Sequence, residues 1–288
     1  MFISPREYFR DHNRSPRKRF GQHFLIQPKA AERIVEGAEL CRTDVVVEVG
    51  PGLGALTRFI ASRVGRLHLV ELDRDLAAFL EASRAITDCR VSVYQQDILR
   101  FDFHSLAERE GESLVVLGNL PYNISSPLVF HLLESRRCIK RAVFMVQKEV
   151  GERLTAGPGG KDYGVLSVLL GVYATVQALF VVGPQQFYPP PAVDSLVVSI
   201  RFKSHPASGS PAFSFLRKLV NQCFQQRRKT LSNSLKGFAG INTTLLQDAL
   251  RASGIDPKRR PETLSAEEFV SLARALQSRK QAENLTLT

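Results

Sequence analysis

Tryptophan is absent from the 288 residues, methionine occurs twice and cysteine four times. The cysteines, Cys41, Cys89, Cys138 and Cys223, lie far apart and never form Cys-x-x-Cys. That spacing excludes a zinc ribbon and a disulfide framework and suits the reduced thiols of a cytoplasmic protein. The six histidines are equally scattered, none at a ligand spacing, so no metal is expected. The amino terminus is charged throughout and lacks the apolar core of a secretory signal. One run, Tyr163 to Val193, carries no charged side chain and is long enough to span a bilayer. Ser167, Gly171, Thr175 and Gln177 interrupt it, and Gly183-Pro184 closes it. It reads instead as a buried helix over 164–174 and a buried strand over 175–182, with no membrane partner.

Acidic residues are also in short supply, 28 against 39 Lys and Arg, for a formal net charge of +11. The excess is concentrated. Residues 1–20 hold six cations and two acids, and residues 217–236 hold six cations and none. Two such runs flanking a near-neutral middle suggest a polyanion footprint rather than two solvated faces. Arg17, Lys18 and Arg19 in the first, and Arg227, Arg228 and Lys229 in the second, are the candidate RNA or DNA contacts.

Between Asp44 and Phe202, short β-branched runs alternate with helical ones, as a parallel βαβ sheet requires. Strands are expected over 45–49, 66–72, 91–95, 113–118, 140–146, 175–182 and 194–202, the first five buried on both faces. Helices are expected over 53–64, 75–84 and 125–135, the last capped by Ser125 or Ser126 ahead of Pro127. A turn-rich linker covers 204–212, and 213–236, 242–253 and 265–280 carry helical periodicity alone. The expected organisation is a basic arm (1–22), a doubly wound α/β domain (23–203), the linker and a small all-helical domain (213–288).

The chemistry starts where Val45-Val46-Val47-Glu48-Val49 runs into Gly50-Pro51-Gly52-Leu53-Gly54-Ala55. Glycines there let the backbone turn tightly and approach a ligand at a helix N-terminus. Glu71, ending the next strand, is placed to accept from two ribose hydroxyls. A dinucleotide and S-adenosylmethionine fit this loop equally, and a purely structural turn remains open. Asp97 could take the amino group of a cofactor adenine, or simply cap the turn before Ile98. Asn119-Leu120-Pro121-Tyr122 follows the fourth strand. The exocyclic amine of adenine is a poor nucleophile because its lone pair is delocalised. Carbonyl acceptors from the Asn119 side chain and Leu120 backbone would favour a pyramidal nitrogen, with Pro121 fixing the turn and Tyr122 stacking on the base. Phe187 in Phe187-Tyr188-Pro189-Pro190-Pro191 could cover the opposite face of a base drawn out of its stack, or belong to the core.

Together these residues resemble the ribosomal RNA adenine dimethyltransferases, specifically the KsgA (RsmA) branch acting on small-subunit ribosomal RNA. The likeness also runs through Arg17-Lys18-Arg19-Phe20-Gly21-Gln22-His23-Phe24-Leu25, Gln147-Lys148-Glu149-Val150 and Gln226-Arg227-Arg228-Lys229-Thr230-Leu231, and so spans nearly the whole chain. It implies a Rossmann-like class I methyltransferase sheet with helices on both faces and S-adenosylmethionine as cofactor. It further implies transfer of two methyl groups to each of two adjacent adenines in the 3′-terminal hairpin of 16S ribosomal RNA, within a small-subunit precursor particle. By motif position, His23 and Leu25 would contact the methionine end, Gly50 would approach the cofactor, Glu71 would hold its ribose and Asp97 its adenine, with Asn119 bordering cofactor and target. His23 stands where many relatives have Asn. Competing expectations are a large-subunit methyltransferase of the antibiotic-resistance type and a non-catalytic RNA-binding factor on the same fold. An NAD-dependent dehydrogenase lacks a residue to handle hydride. Nothing requires more than a monomer.

Overall fold

The computed structural model describes residues 4–17, 21–83, 89–203 and 211–286. The chain divides into two compact units, one of Met1–Glu152 with Thr175–Phe202, the other of Arg153–Ala174 with Lys203–Thr288.

The first unit is built on strands β1 (Phe24–Leu25), β2 (Val45–Val49), β3 (Arg66–Glu71), β4 (Arg90–Gln95), β5 (Leu114–Asn119), β6 (Ile139–Gln147), β7 (Ala174–Val182), β8 (Phe187–Tyr188) and β9 (Ser195–Phe202). Seven of them form one sheet in the order β4-β3-β2-β5-β6-β9-β7, while β1 and β8 pair separately. Strands β4, β3, β2, β5 and β6 are mutually parallel, and β9 runs antiparallel to β6. All five residues of β2 are buried, which is why Val45–Val49 reads as an unbroken apolar run apart from Glu48. Strand order reverses beside β2, with β3 on one side and β5 on the other. Crossovers leaving that point in opposite directions place helices on both faces. The helix Pro28–Glu36 shows the local logic: Ala30, Ala31, Ile34 and Val35 are buried, while Lys29, Glu32, Arg33 and Glu36 face solvent.

The second unit is helical, with helices Val165–Tyr173, Phe213–Gln225, Leu231–Ser234, Thr243–Ala252 and Ala266–Thr286. The helix Val165–Tyr173 packs against Phe213–Gln225 and Ala266–Thr286. A Cβ added to Gly171 would lie 3.0 Å from that of Ala266. A helix with no charged residue must be covered all round, and here the partners are the C-terminal helices. The expected boundary at 203 therefore splits differently, since Arg153–Ala174 joins the helical unit.

Several other expectations need correction. β4 is an edge strand with no fully buried residue, because nothing pairs with its outer side. β7 is the opposite edge, buried only at Ala174 and Val182. The helix expected over 53–64 spans only Thr57–Ala61, since residues 52–56 are used in turning the chain. The helix Ser125–Glu134 has no side-chain cap; the Ser125 hydroxyl instead donates to the Pro121 carbonyl at 3.2 Å. The basic stretch 213–236 is not one helix. It breaks after Gln225, where Arg227 ties to the carbonyls of Lys161 and Gly160 at 2.7 and 3.0 Å. The amino-terminal arm holds an unexpected helix, Pro5–Asp11, that buries Tyr8 and Phe9 against Phe24, Leu53 and Leu76. Residues 204–210 of the expected linker lie outside the described residues. Among the described residues, no helix is long and apolar enough to cross a membrane.

Candidate active site

Four adjacent strands deliver the site. Pairing of Val49 with Gly118 puts Gly50 and Asn119 side by side just past β2 and at the end of β5. Pairing of Glu71 with Gln95 puts Glu71 and Asp97 at the same edge. These carboxyl ends flank the point where strand order reverses, the place where open α/β sheets bind ligands. A single cavity is lined there by Gly50, Glu71, Asp97, Asn119, Tyr122 and Glu48.

The loop after β2 is shaped for close approach. Gly50 and Gly52 both have φ of +59°, a region costly to any side chain, and nothing lies within 4 Å of where a Gly50 Cβ would be. Gly50 N–H donates to the Val70 carbonyl at 2.9 Å. Gly52 N–H donates to Glu71 Oε2 at 3.0 Å, and Asp73 N–H to Glu71 Oε1 at 2.9 Å. The buried Glu71 carboxyl thus carries one backbone donor on each oxygen, and each oxygen keeps a lone pair for a further donor. Burial pushes its pKa up, against the pull of those amides.

Glu48, the fourth residue of β2, is placed differently. It is 1% exposed, Oε2 has no hydrogen-bond partner among the described residues, and burial, with the nearby Glu71 carboxyl, pushes its pKa up to about 8 while Thr57 pulls the other way. Sequence reading passed over it as one more strand residue. An acid in an otherwise all-valine buried strand was the available signal.

Asp97 does cap the turn, accepting from Leu99 N–H through Oδ1 at 2.9 Å. Its second oxygen carries no bond among the described residues, so capping and adenine recognition are compatible. Leu72, 50% exposed, adds an apolar wall between Glu71 and Asp97.

Asn119 is oriented by His23, just ahead of β1, rather than by its own strand. Its Nδ2 donates to the His23 carbonyl at 2.8 Å. An amide whose nitrogen is committed in this way presents its oxygen as the remaining group, a pure acceptor. His23 also hydrogen-bonds through Nδ1 to the Pro189 carbonyl at 2.8 Å, and its ring stacks on Tyr122, centroids 5.4 Å apart and planes at 28°. Leu120 is buried, with its N–H on the Met145 carbonyl at 3.0 Å. The Tyr122 hydroxyl lies 3.5 Å from Ser195 Oγ, and burial raises its pKa. Leu25 pairs with Phe187 across β1 and β8 and lines the cavity.

Phe187 is not among the residues that line the cavity. It is 3% exposed and belongs to the core cluster with Leu25, Ile34 and Val197. Pairing of β8 with β1 turns its side chain inward, and the ring that faces Tyr122 is that of His23.

The basic residues divide. Arg17 bonds Asp73 and Asp75 at 2.9 and 2.6 Å, and Arg14 bonds Asp75 at 2.5 Å. Gln22 joins them, accepting from Arg17 N–H at 2.7 Å and donating to Asp73 at 3.1 Å. Arg17 thus fastens the arm beside the start of the helix Arg74–Ser83, and its charge is spent within the fold. Lys18 and Arg19 lie outside the described residues. In the helical unit Arg228 and Lys229 are exposed, whereas the Arg227 guanidinium is held by backbone carbonyls. No group of three or more His, Cys, Asp or Glu among the described residues is placed to hold a metal.

Comparisons with known proteins bear on the family and the fold. The family model described as ribosomal RNA adenine dimethylase matches residues 13–278. The Ribosomal RNA small subunit methyltransferase A of Nitrosococcus oceani is 48% identical over 260 residues, covering 90% of this chain and 95% of the relative. Among solved structures, a dimethyladenosine transferase from Plasmodium falciparum is similar with a TM-score of 0.78 at 25% identity, over 90% of this chain and 98% of the other. The 23S rRNA methyltransferase ErmE is similar with a TM-score of 0.68 at 26% identity, over 88% and 99%. By sequence and by fold, the chain belongs to the ribosomal RNA adenine dimethylase family.

Proposed function

We propose that this enzyme uses S-adenosylmethionine to dimethylate the exocyclic amines of two adjacent adenines in the 3′-terminal hairpin of 16S ribosomal RNA, acting on a small-subunit precursor particle in the cytoplasm. The observation that carries the reading is the Asn119 amide, locked by the His23 carbonyl at 2.8 Å beside the open glycine turn.

The residues fit the cofactor. Gly50 leaves backbone open to its methionine portion, Glu71 keeps acceptor capacity for ribose hydroxyls, and Asp97 offers its second oxygen to an adenine amine. When bound, S-adenosylmethionine would supply an electrophilic methyl group on a sulfonium whose sulfur departs as a neutral thioether, the methylated amine giving up its extra proton to solvent. The chain's own task is then placement. Asn119 Oδ1 and the Leu120 carbonyl accept the hydrogens of the target amine and draw its lone pair out of the ring. Tyr122 supports the base by stacking, worth about 1–3 kcal/mol. Orientation and fixed dipoles account for the rate without a strong base. Arg228 and Lys229 are the proposed phosphate contacts.

Preference for small-subunit RNA is supported by the 48% identity to a relative named for that subunit, against 26% to the 23S enzyme. The test is partition of methyl label between unmodified small and large subunits offered together. Label in small-subunit RNA is expected; label confined to large-subunit RNA would overturn the assignment.

A further inference from the structure

Of the four arginines in the described part of the arm, three are held by acids: Arg10 by Asp11, Arg14 by Asp75, and Arg17 by Asp73 and Asp75. Arg6 is exposed and has no acidic partner among the described residues. Its guanidinium lies instead over the ring of Tyr188, with Cζ 5.3 Å from the centroid. The pair stands at the rim of the cavity. Arg6 follows Pro5, which lines it, on the helix that the burial of Tyr8 and Phe9 holds in place. Tyr188 pairs with Phe24, another lining residue. The Pro189 carbonyl beside it accepts from His23 Nδ1 at 2.8 Å, and the His23 ring stacks on Tyr122. Side chains alternate along a strand, so the inward turn of Phe187 sends the half-buried Tyr188 ring to the other side, against the aromatic cluster of the arm. Fastening the arm does not call for a cation here, because Arg14 and Arg17 already do that. A planar cation on an aromatic face, open to solvent, offers a base a stacking surface and its phosphate a charge.

We propose that Arg6 and Tyr188 form a second base-binding step at the rim of the cavity, holding the nucleotide next to the adenine being methylated. The inference rests on the reading that the substrate is RNA with two adjacent target adenines. When one base is drawn out of its stack, its neighbour loses a stacking partner too. Arg6 over Tyr188 replaces that partner, and keeps the RNA at the rim while the two adenines take their turns.

The test crosses protein variants with RNA variants. The probes are unmodified small-subunit particles, unaltered or with uridine in place of one or the other of the two adjacent adenines, and the readout is kcat/KM for methylation of the adenine that remains. Uridine stacks less well than adenine, so one of the two replacements should lower the wild-type value about fivefold, through KM. Arg6→Ala and Tyr188→Leu, which keeps apolar bulk against the arm, should each lower kcat/KM about tenfold on unaltered particles and lose the sensitivity to that replacement. Arg6→Lys keeps the charge without the plane and should lose the sensitivity as well, whereas Tyr188→Phe should retain it. A merely structural role would slow all particles alike and leave the sensitivity in place. Arg6 is exposed, so Arg6→Ala keeps the test open if Tyr188→Leu folds poorly. Equal sensitivity to the neighbouring base in wild type and Arg6→Ala overturns the proposal, as does a wild type indifferent to both replacements. Failure of wild type to methylate even the unaltered particles would instead overturn the substrate reading beneath it.

Discussion

Asn119→Ala separates placement of the target amine from every other duty of the site. It removes the bond from Nδ2 to the His23 carbonyl, 2.8 Å long, and the Oδ1 acceptor. The first loss is one partly buried neutral hydrogen bond, about 1 kcal/mol of stability, or roughly 2–4 °C in Tm. The second removes a preorganised dipole from the reacting nitrogen. Removing one such group costs about 10²–10³ in rate, or roughly 3–4 kcal/mol. The catalytic loss should therefore exceed the structural loss about threefold in free energy. Cofactor affinity should change by less than about tenfold, because a single polar contact is worth at most about 1.4 kcal/mol there. Single-turnover methylation of unmodified small-subunit particles, with protein preloaded with labelled cofactor, measures the first quantity, and calorimetry the second. A variant whose single-turnover rate stays within about threefold of wild type, under 1 kcal/mol of barrier, would refute the acceptor mechanism.

Phe187→Ala should destabilise the first unit by about 3–5 kcal/mol, as a buried aromatic does; unchanged thermal unfolding would return Phe187 to the base pocket. Glu48→Gln should stabilise the cofactor-free protein near pH 7.5. A folded carboxyl raised to about 8 opposes folding above its ordinary unfolded value, and the penalty grows until pH reaches about 8. Relief of about 4 kcal/mol is expected at pH 7.5 and almost none at pH 4, read from denaturant curves at both; equal gains at the two pH values would contradict the burial argument. Arg228→Ala with Lys229→Ala should weaken RNA binding and lower the slope of log affinity against log salt by about 2. An unchanged slope would remove them from the footprint. Arg17→Ala should leave that slope unchanged and lower Tm, because its guanidinium is bound to Asp73, only 5% exposed, and Asp75.

Much of the sheet was legible because its strands are short, apolar and bounded by turns. Val45–Val49, Arg66–Glu71 and Leu114–Asn119 fall within a residue of their expected limits, and with them the places of Gly50, Glu71 and Asn119. Edges were not legible, since Arg90–Gln95 and Ala174–Val182 are as β-branched as central strands and only pairing shows which side is bare. Nor could pattern alone show that Val165–Tyr173 joins the C-terminal helices, because an evenly apolar helix has no face to point with. The site was read as far as residue types reach. What escaped was mutual orientation: that His23 would hold the Asn119 amide and face Tyr122, that Phe187 would turn inward, and that Arg17 would be neutralised by Asp73 and Asp75. Each depends on contacts between segments 50 or more residues apart, which local spacing does not encode.

The central claim is that the ends of four adjacent strands form a centre for methylating adenine amines. Its most direct test is mass spectrometry of small-subunit RNA digested after incubation of unmodified particles with the wild-type protein and S-adenosylmethionine. The account predicts two adjacent dimethyladenosines in the 3′-terminal hairpin. Methyl groups on carbon, on ribose or on another base, with the adenine amines untouched, would contradict it.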